Sequence, residues 1–154
     1  MERINVRVYG LFINASNEIL LTDEYRLNTY MTKFPGGGLE IGEGVLDCLK
    51  RECLEELQQE IKIERHFYTT EFFQPTKLLP DPQQLMSIYY LIHIQEPFRF
   101  PITSKKFDFP AVEGKQSFRF VPLKEITEEE VTFPIDKVVI KKLLSEYTPA
   151  QSSG

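Results

Sequence analysis

Phe34-Pro-Gly-Gly-Gly-Leu-Glu-Ile-Gly-Glu43 runs directly into Gly44-Val-Leu-Asp-Cys-Leu-Lys-Arg-Glu-Cys-Leu-Glu-Glu-Leu-Gln-Gln59, and this stretch decides how the rest of the chain is read. Five of the 8 glycines fall between positions 36 and 44, more than a plain strand-to-helix turn needs. Glycine lets bare backbone approach a ligand, and a helix start offers free amides to an anion. After Gly44, as far as Gln59, there is no glycine or proline, and Leu46, Leu49, Cys53 and Leu57 recur at spacings of three and four, which predicts an amphipathic helix. Stepped at the helical angle, Glu52, Glu55 and Glu56 project from one arc of about 100° beside that apolar stripe. Arg51 flanks them one turn before Glu55.

Like charges at i, i+4 cost a helix a few tenths of a kcal/mol, and Glu52 and Glu56 are such a pair with Glu55 adding to the field. A divalent cation reverses that cost. Hard cations such as Mg²⁺ take oxygen ligands and are held by a few carboxylates together with water and substrate phosphates. His66, His93, Cys48 and Cys53 offer no zinc-type spacing, so the acidic helix face is the metal site this sequence supplies.

Working outward, Ile4 to Ile13 reads as a strand, and the turn formers Asn14-Ala-Ser-Asn17 lead to Ile19–Leu21, which predicts a hairpin between the two. Tyr30–Phe34, Ile61–Phe73, Leu85–Ile94 and Ser117–Pro122 read as further strands. Pro75, Pro80 and Pro82 mark a loop, and Glu96 to Gln116 a long proline-punctuated excursion. Ile135 to Tyr147 reads as a second helix, with Ile135, Val138, Val139, Lys142 and Leu143 on one side. Strands around helices indicate an α/β domain, although the strand order is not legible from the pattern.

The 154 residues carry 18 Lys plus Arg against 23 Asp plus Glu, a formal charge of −5, with 42% hydrophobic residues. That balance argues against disorder and against generic duplex binding, whose affinity comes from neutralising phosphates. One domain is expected over residues 1–148, with 149–154 a flexible tail. Cys48 and Cys53 are expected to be reduced and unbridged. Glu2 and Arg3 stand where a signal peptide would be apolar, and no segment approaches the length of a membrane span. A cytoplasmic protein is expected, binding neither membrane nor duplex nucleic acid, with a homodimer left open.

Gly37, five residues, Glu43, seven residues, then Arg51-Glu52-Cys53-Leu54-Glu55-Glu56 resembles the signature of the Nudix hydrolases, G-x5-E-x7-R-E-U-x-E-E-x-G-U with U aliphatic. Gln58 and Gln59 replace the closing glycine and aliphatic residue, and Cys53 stands at an aliphatic position. The missing glycine leads us to expect a displaced helix end.

The resemblance implies a Nudix-type α/β/α sandwich with a mixed β-sheet. It also implies hydrolysis of a nucleoside diphosphate linked to another group, such as a nucleoside triphosphate, ADP-ribose or a nucleotide sugar, with Mg²⁺ or Mn²⁺. Carried across by position, Glu52, Glu55 and Glu56 would hold the metal with a carbonyl from Gly36 or Gly37, and Glu52 would be a candidate general base. Arg51 and Glu43 would orient and neutralise the cluster, and Glu113 is the candidate for a further glutamate from a later loop. Pro75, sixteen residues after the box, gives a slight tilt toward the ADP-ribose pyrophosphatase subgroup. Phe72, Phe73, Phe107 and Phe109 are read as core side chains rather than as surfaces for a nucleobase. The alternative to an enzyme is a Nudix-like domain that binds a nucleotide without turnover, for sensing or regulation.

Overall fold

A computed structural model describes Met1 and residues 3–147. The expected tail at 149–154 lies outside the described residues. By internal contacts the chain divides into two units, Met1–Phe12 with Phe34–Ile102, and Ile13–Lys33 with the chain from Thr103 onward. Among the described residues no helix is long and apolar enough to cross a membrane.

The first unit is built on strands β1 (Ile4–Phe12), β4 (Gly36–Gly38), β5 (Lys62–Thr69) and β6 (Gln84–His93), with helix α1 (Val45–Leu57) between β4 and β5 in the chain. The sheet order is β4-β1-β6-β5. β1 runs antiparallel to β4 and parallel to β6, so the sheet is mixed. Its hydrophobic residues and those of α1 form the core, with Val8, Leu11, Phe34, Leu49, Cys53, Leu57 and Tyr89 fully buried. The helix stripe differs from expectation at its start, where Leu46 is 44% exposed and Cys48 is buried instead. Cys48 sits over β4, its thiol 3.4 Å from the Gly38 carbonyl, a space that three glycines leave open. Both cysteines are free.

The second unit holds β2 (Glu18–Arg26), β3 (Thr29–Lys33) and β7 (Gln116–Pro122) in the antiparallel order β3-β2-β7, then a 3-10 turn over Glu128–Glu130 and helix α2 (Pro134–Tyr147). Pro134 opens α2, where its missing N–H costs nothing. Ile135, Val139, Ile140 and Leu143 of α2 are buried.

The predicted hairpin is corrected. Asn14 does nucleate a turn, its Oδ1 accepting the amides of Ser16 and Glu18 at 3.0 and 2.9 Å. Pairing stops, however, at the single bridge Ile13–Ile19. Both edges of β1 are already taken by β4 and β6, and β2 pairs with β3 and β7 instead.

Strand β2 also continues well past the expected Leu21, through Asp23 and Glu24, which are buried. Their burial is sustained by partners: Asp23 accepts from Arg119 Nε and Nη2 at 2.6 and 3.1 Å and from Thr32 Oγ1 at 2.7 Å. Glu130 meets the same guanidinium at 2.8 Å and Lys106 at 3.1 Å. Breaking one partner of such a buried network typically costs 3–5 kcal/mol.

The aromatic expectation is corrected as well. Phe72 and Phe73 are 40% and 62% exposed, and Phe107 and Phe109 are half-buried in a ring cluster with Tyr30 rather than in the core.

Helix α1 ends where the missing glycine would have ended it, so the expected displacement does not occur. Gln58 itself adopts the left-handed conformation, φ 57° and ψ 31°, and its amide closes on Leu54 O. Such a conformation costs a residue with a side chain roughly 1–2 kcal/mol. Gln58→Gly is therefore expected to stabilise the protein by about 0.5–1 kcal/mol after the extra freedom of glycine in the unfolded chain is counted. Urea denaturation measures this directly, and an unchanged or lower midpoint would contradict it. Gln59, the second departure, takes the Arg99 amide on its Oε1 at 2.8 Å and donates to the Gln95 carbonyl, tying the helix end to the loop after β6.

Candidate functional site

Glu43, Arg51, Glu52, Glu55, Glu56, Gly36 and Gly37 all lie in the first unit, and the fold brings them together. Strand β4 and helix α1 provide the frame. Leu39 N bonds to Val6 O and Gly10 N to Pro35 O, each at 2.8–2.9 Å, so odd-numbered residues of this strand turn their backbone groups toward β1. Gly36 and Gly38 consequently turn theirs toward α1. Two bonds confirm the alternation: Gly36 N donates to Glu56 Oε1 at 3.1 Å, and Gly38 O accepts from Arg51 Nη2 at 3.1 Å. Of the two carbonyls named from sequence, Gly36's faces the helix and Gly37's faces β1.

The glycines are required by proximity. A Cβ on Gly37 would overlap the Glu52 carboxylate, and one on Gly36 would overlap Val8 O and lie 2.7 Å from Tyr9 Cα. Gly36 also has φ +146°, a conformation that side chains disfavour.

Arg51 is the hub of the cluster. Its Nη2 and Nε donate to the two oxygens of Glu43 at 2.7 and 3.0 Å, a bidentate pair. Its Nη1 donates to Glu52 Oε1 at 2.9 Å and lies 3.4 Å from Glu55 Oε1 and 3.8 Å from Glu40. One guanidinium thus stands against four carboxylates. Hydrogen bonding to Glu43 raises the Arg51 pKa above its ordinary value, so the guanidinium stays charged. The Arg51 bond, with the Glu40 amide behind it, holds the Glu43 carboxyl at about 2 instead of 4.5. Burial, then the nearby Glu43, pushes the Cys48 thiol up to about 12, and burial, then Glu56, raises that of Cys53. Neither cysteine is poised as a thiolate nucleophile.

A group whose folded pKa is depressed contributes stability that is complete above its unfolded value and is lost as pH falls through the folded one. The Glu43 contribution is therefore expected to be full above about pH 4.5 and to disappear toward pH 2. A carbon-13 NMR titration of the side-chain carboxyls should place Glu43 near 2 and, in Arg51→Met, return it toward 4.5. An ordinary midpoint in the wild-type protein would contradict the pairing.

The arrangement fits a hard cation by donor chemistry: three carboxylates on one turn and a backbone carbonyl facing them, all oxygen. Among the described residues, however, no three His, Cys, Asp or Glu side chains converge as a ready-made cage. Arg51 stands between Glu52 and Glu55, and the Glu55 side chain is exposed enough to swing. Glu113 lies in the second unit and is engaged there, its Oε1 accepting the Leu27 amide at 3.0 Å with Arg26 3.9 Å from Oε2. Sequence reasoning missed the part played by Cys48 and Glu40 at the cluster. Both stand one helical turn or one loop turn from Arg51 or Glu43, which is the signal that could have found them.

Comparison with known proteins adds an independent finding. The family model described as NUDIX domain matches residues 3–143. No curated protein matches the chain. Among solved structures, a MutT protein from Methanosarcina mazei Go1 is similar with a TM-score of 0.67 at 18% identity, over 96% of this chain and 99% of that one. The ORF135 protein of E. coli is similar with a TM-score of 0.64 at 17% identity, over 96% and 95%. A NUDIX hydrolase from Nitrosomonas europaea is similar with a TM-score of 0.63 at 18% identity, over 94% and 90%. Identities this low show a shared fold, the α/β class with a mixed sheet expected from the sequence.

Proposed function

Because the chain belongs to the NUDIX domain family, we propose that it is a hydrolase of pyrophosphate bonds, acting in the cytoplasm on a nucleoside diphosphate linked to another group, with Mg²⁺ or Mn²⁺ as cofactor. The carrying observation is the single guanidinium of Arg51 held among Glu43, Glu52 and Glu55, with Glu56 on the Gly36 amide. A fold-only role has no need of so many like charges on one helix face.

Glu52, Glu55, Glu56 and, of the two carbonyls, that of Gly36, which faces the helix, would hold the cation. When bound, the ion would supply positive charge to phosphate oxygens and lower the pKa of water. The remaining work falls to the chain. Glu43 grips Arg51 at two points, which keeps the guanidinium beside the acids and limits their mutual repulsion. Arg51 in turn orients Glu52, whose carboxylate lies in the space left by Gly37. From there Glu52 is the candidate to take a proton from the attacking water. Glu113, which the resemblance offers as an assisting carboxylate, is held by the Leu27 amide in the second unit.

The test is a panel of nucleoside triphosphates, ADP-ribose, nucleotide sugars and dinucleoside polyphosphates with Mg²⁺. Release of a nucleoside monophosphate or pyrophosphate from at least one class is expected. Tight binding with no turnover anywhere on the panel would replace the hydrolase with the binding or regulatory domain.

A further inference from the structure

The donors of Arg51 are shared unevenly among the carboxylates around it. Nε and Nη2 hold the two oxygens of Glu43 at 3.0 and 2.7 Å, and Nη2 also reaches the Gly38 carbonyl at 3.1 Å. Nη1 is left to serve three acids at once. It donates to Glu52 Oε1 at 2.9 Å, meets the two oxygens of Glu55 at 3.4 and 3.5 Å, and has Glu40 at 3.8 Å. Hydrogen bonds weaken with length, and both Glu55 distances stand beyond the usual range for a nitrogen donor. The Glu43 side chain is 16% exposed and that of Glu55 is 59% exposed. Exposed ion pairs contribute little, so Glu43 is gripped whereas Glu55 is only parked.

A pair serving stability alone needs no more than the Glu43 grip. It gives no reason for Nη1 to stand amid the acids of the proposed metal site, where among the described residues no three of them converge. We propose that Nη1 is a stand-in cation, and that metal binding is an exchange in which Glu55 leaves Nη1 for the ion while Glu43 keeps the guanidinium at the edge of the site. Glu52, on the shorter bond, stays with Nη1. The inference rests on the hydrolase reading above and adds a regulation of the same site.

The chemistry of the guanidinium makes it suited to this part. It does not lose its proton, so the stand-in yields only to a competing cation. Its donors are fixed in a plane, so a group held through Nε and Nη2 still presents Nη1 to Glu52 and Glu55. An ammonium is a single point charge with no second arm in a set direction. The contact that Glu55 gives up is subtracted from what the ion gains, which sets the affinity of the site below that of the same carboxylates without the guanidinium.

Two variants separate contact from charge. Arg51→Lys keeps the charge and loses the arm, and Arg51→Met loses both. Mn²⁺ binding is measured without substrate, from the electron paramagnetic resonance of the free ion. Arg51→Lys should bind Mn²⁺ about 2–5-fold more tightly than wild type, the size of an exposed carboxylate contact, and Arg51→Met at least as tightly. If Arg51 acted only through its charge, Arg51→Lys would bind as wild type does. If it served only to arrange the acids, both variants would bind more weakly. Either result would overturn the exchange.

The wild-type protein supplies a second readout that needs no variant. On titration with Mg²⁺, the nitrogen-15 resonance of Arg51 Nη1 should move while that of Nε, held by Glu43, stays in place. Movement of both, or of neither, would overturn the exchange. Tighter Mn²⁺ binding in Arg51→Lys with no turnover of any nucleotide would keep the exchange and overturn the hydrolase. Turnover by wild type, with no gain of affinity in Arg51→Lys, would overturn the exchange alone.

Discussion

Glu52→Gln is expected to lower kcat at least a hundredfold while leaving the unfolding temperature within a degree or two of wild type. The substitution keeps the shape of the side chain and the oxygen that accepts from Arg51 Nη1 at 2.9 Å, so the surrounding contacts survive. What it removes is a negative charge and a basic oxygen. General-base roles contribute typically 10²–10⁴-fold, and loss of an anionic metal ligand adds to that. Because both effects fall on the reacting water, the loss should appear in kcat more than in KM. Glu64→Gln, at an exposed position of β5, serves as the control and should be silent. Turnover within a few-fold of wild type in Glu52→Gln would remove Glu52 from the mechanism.

The second large effect separates two neighbouring glycines. Gly36→Ala introduces a Cβ that overlaps Val8 O and crowds Tyr9 Cα, both part of the paired backbone, at a φ of +146°. Backbone of β1 cannot yield without breaking the sheet. Overpacking and strain together should cost roughly 3 kcal/mol or more, a large part of a typical domain's stability. Gly37→Ala meets a different neighbour. Its Cβ would overlap the Glu52 carboxylate, which is the end of a flexible side chain and can rotate away. Folding should survive and activity should not, because the displaced carboxylate is the one placed at the reacting water. Measuring unfolding and turnover on both variants gives the contrast. A Gly37→Ala protein as active as wild type would mean that the position of Glu52 is irrelevant to the reaction.

The parts of the fold legible in the sequence were those decided by local chemistry. The uninterrupted Gly44–Gln59 pattern gave a helix whose bounds are Val45–Leu57, and its acidic arc was set by helical geometry alone. Pairing between distant strands was not local, and the expected hairpin failed for that reason: β1 finds its partners at Gly36–Gly38 and Gln84–His93.

Three glycines in a row carry no strand signal, yet β4 forms because β1 offers it an edge and α1 needs its thinness. Charged residues were read as surface, so β2 was cut short at Leu21, whereas Arg119 and Thr32 make Asp23 tolerable inside. At the helix end, tertiary ties through Gln59 hold Gln58 in a conformation that propensity would assign to glycine. The hub role of Arg51 was only half visible. Spacing gave its contact with Glu55, but the bidentate grip of Glu43 depends on how the 39–44 loop folds back.

The central claim is that the acidic face of α1 is a cation site. Substoichiometric Mn²⁺ added to nitrogen-15-labelled protein tests it most directly, through the amide resonances that broaden first. Early loss of the signals of Gly36, Gly37, Gly38 and residues 51–57 is expected, with their recovery in a variant carrying Glu52→Gln and Glu56→Gln together. Broadening that begins instead at acids away from α1, such as the exposed Glu129, or spreads evenly over surface carboxylates, would contradict it.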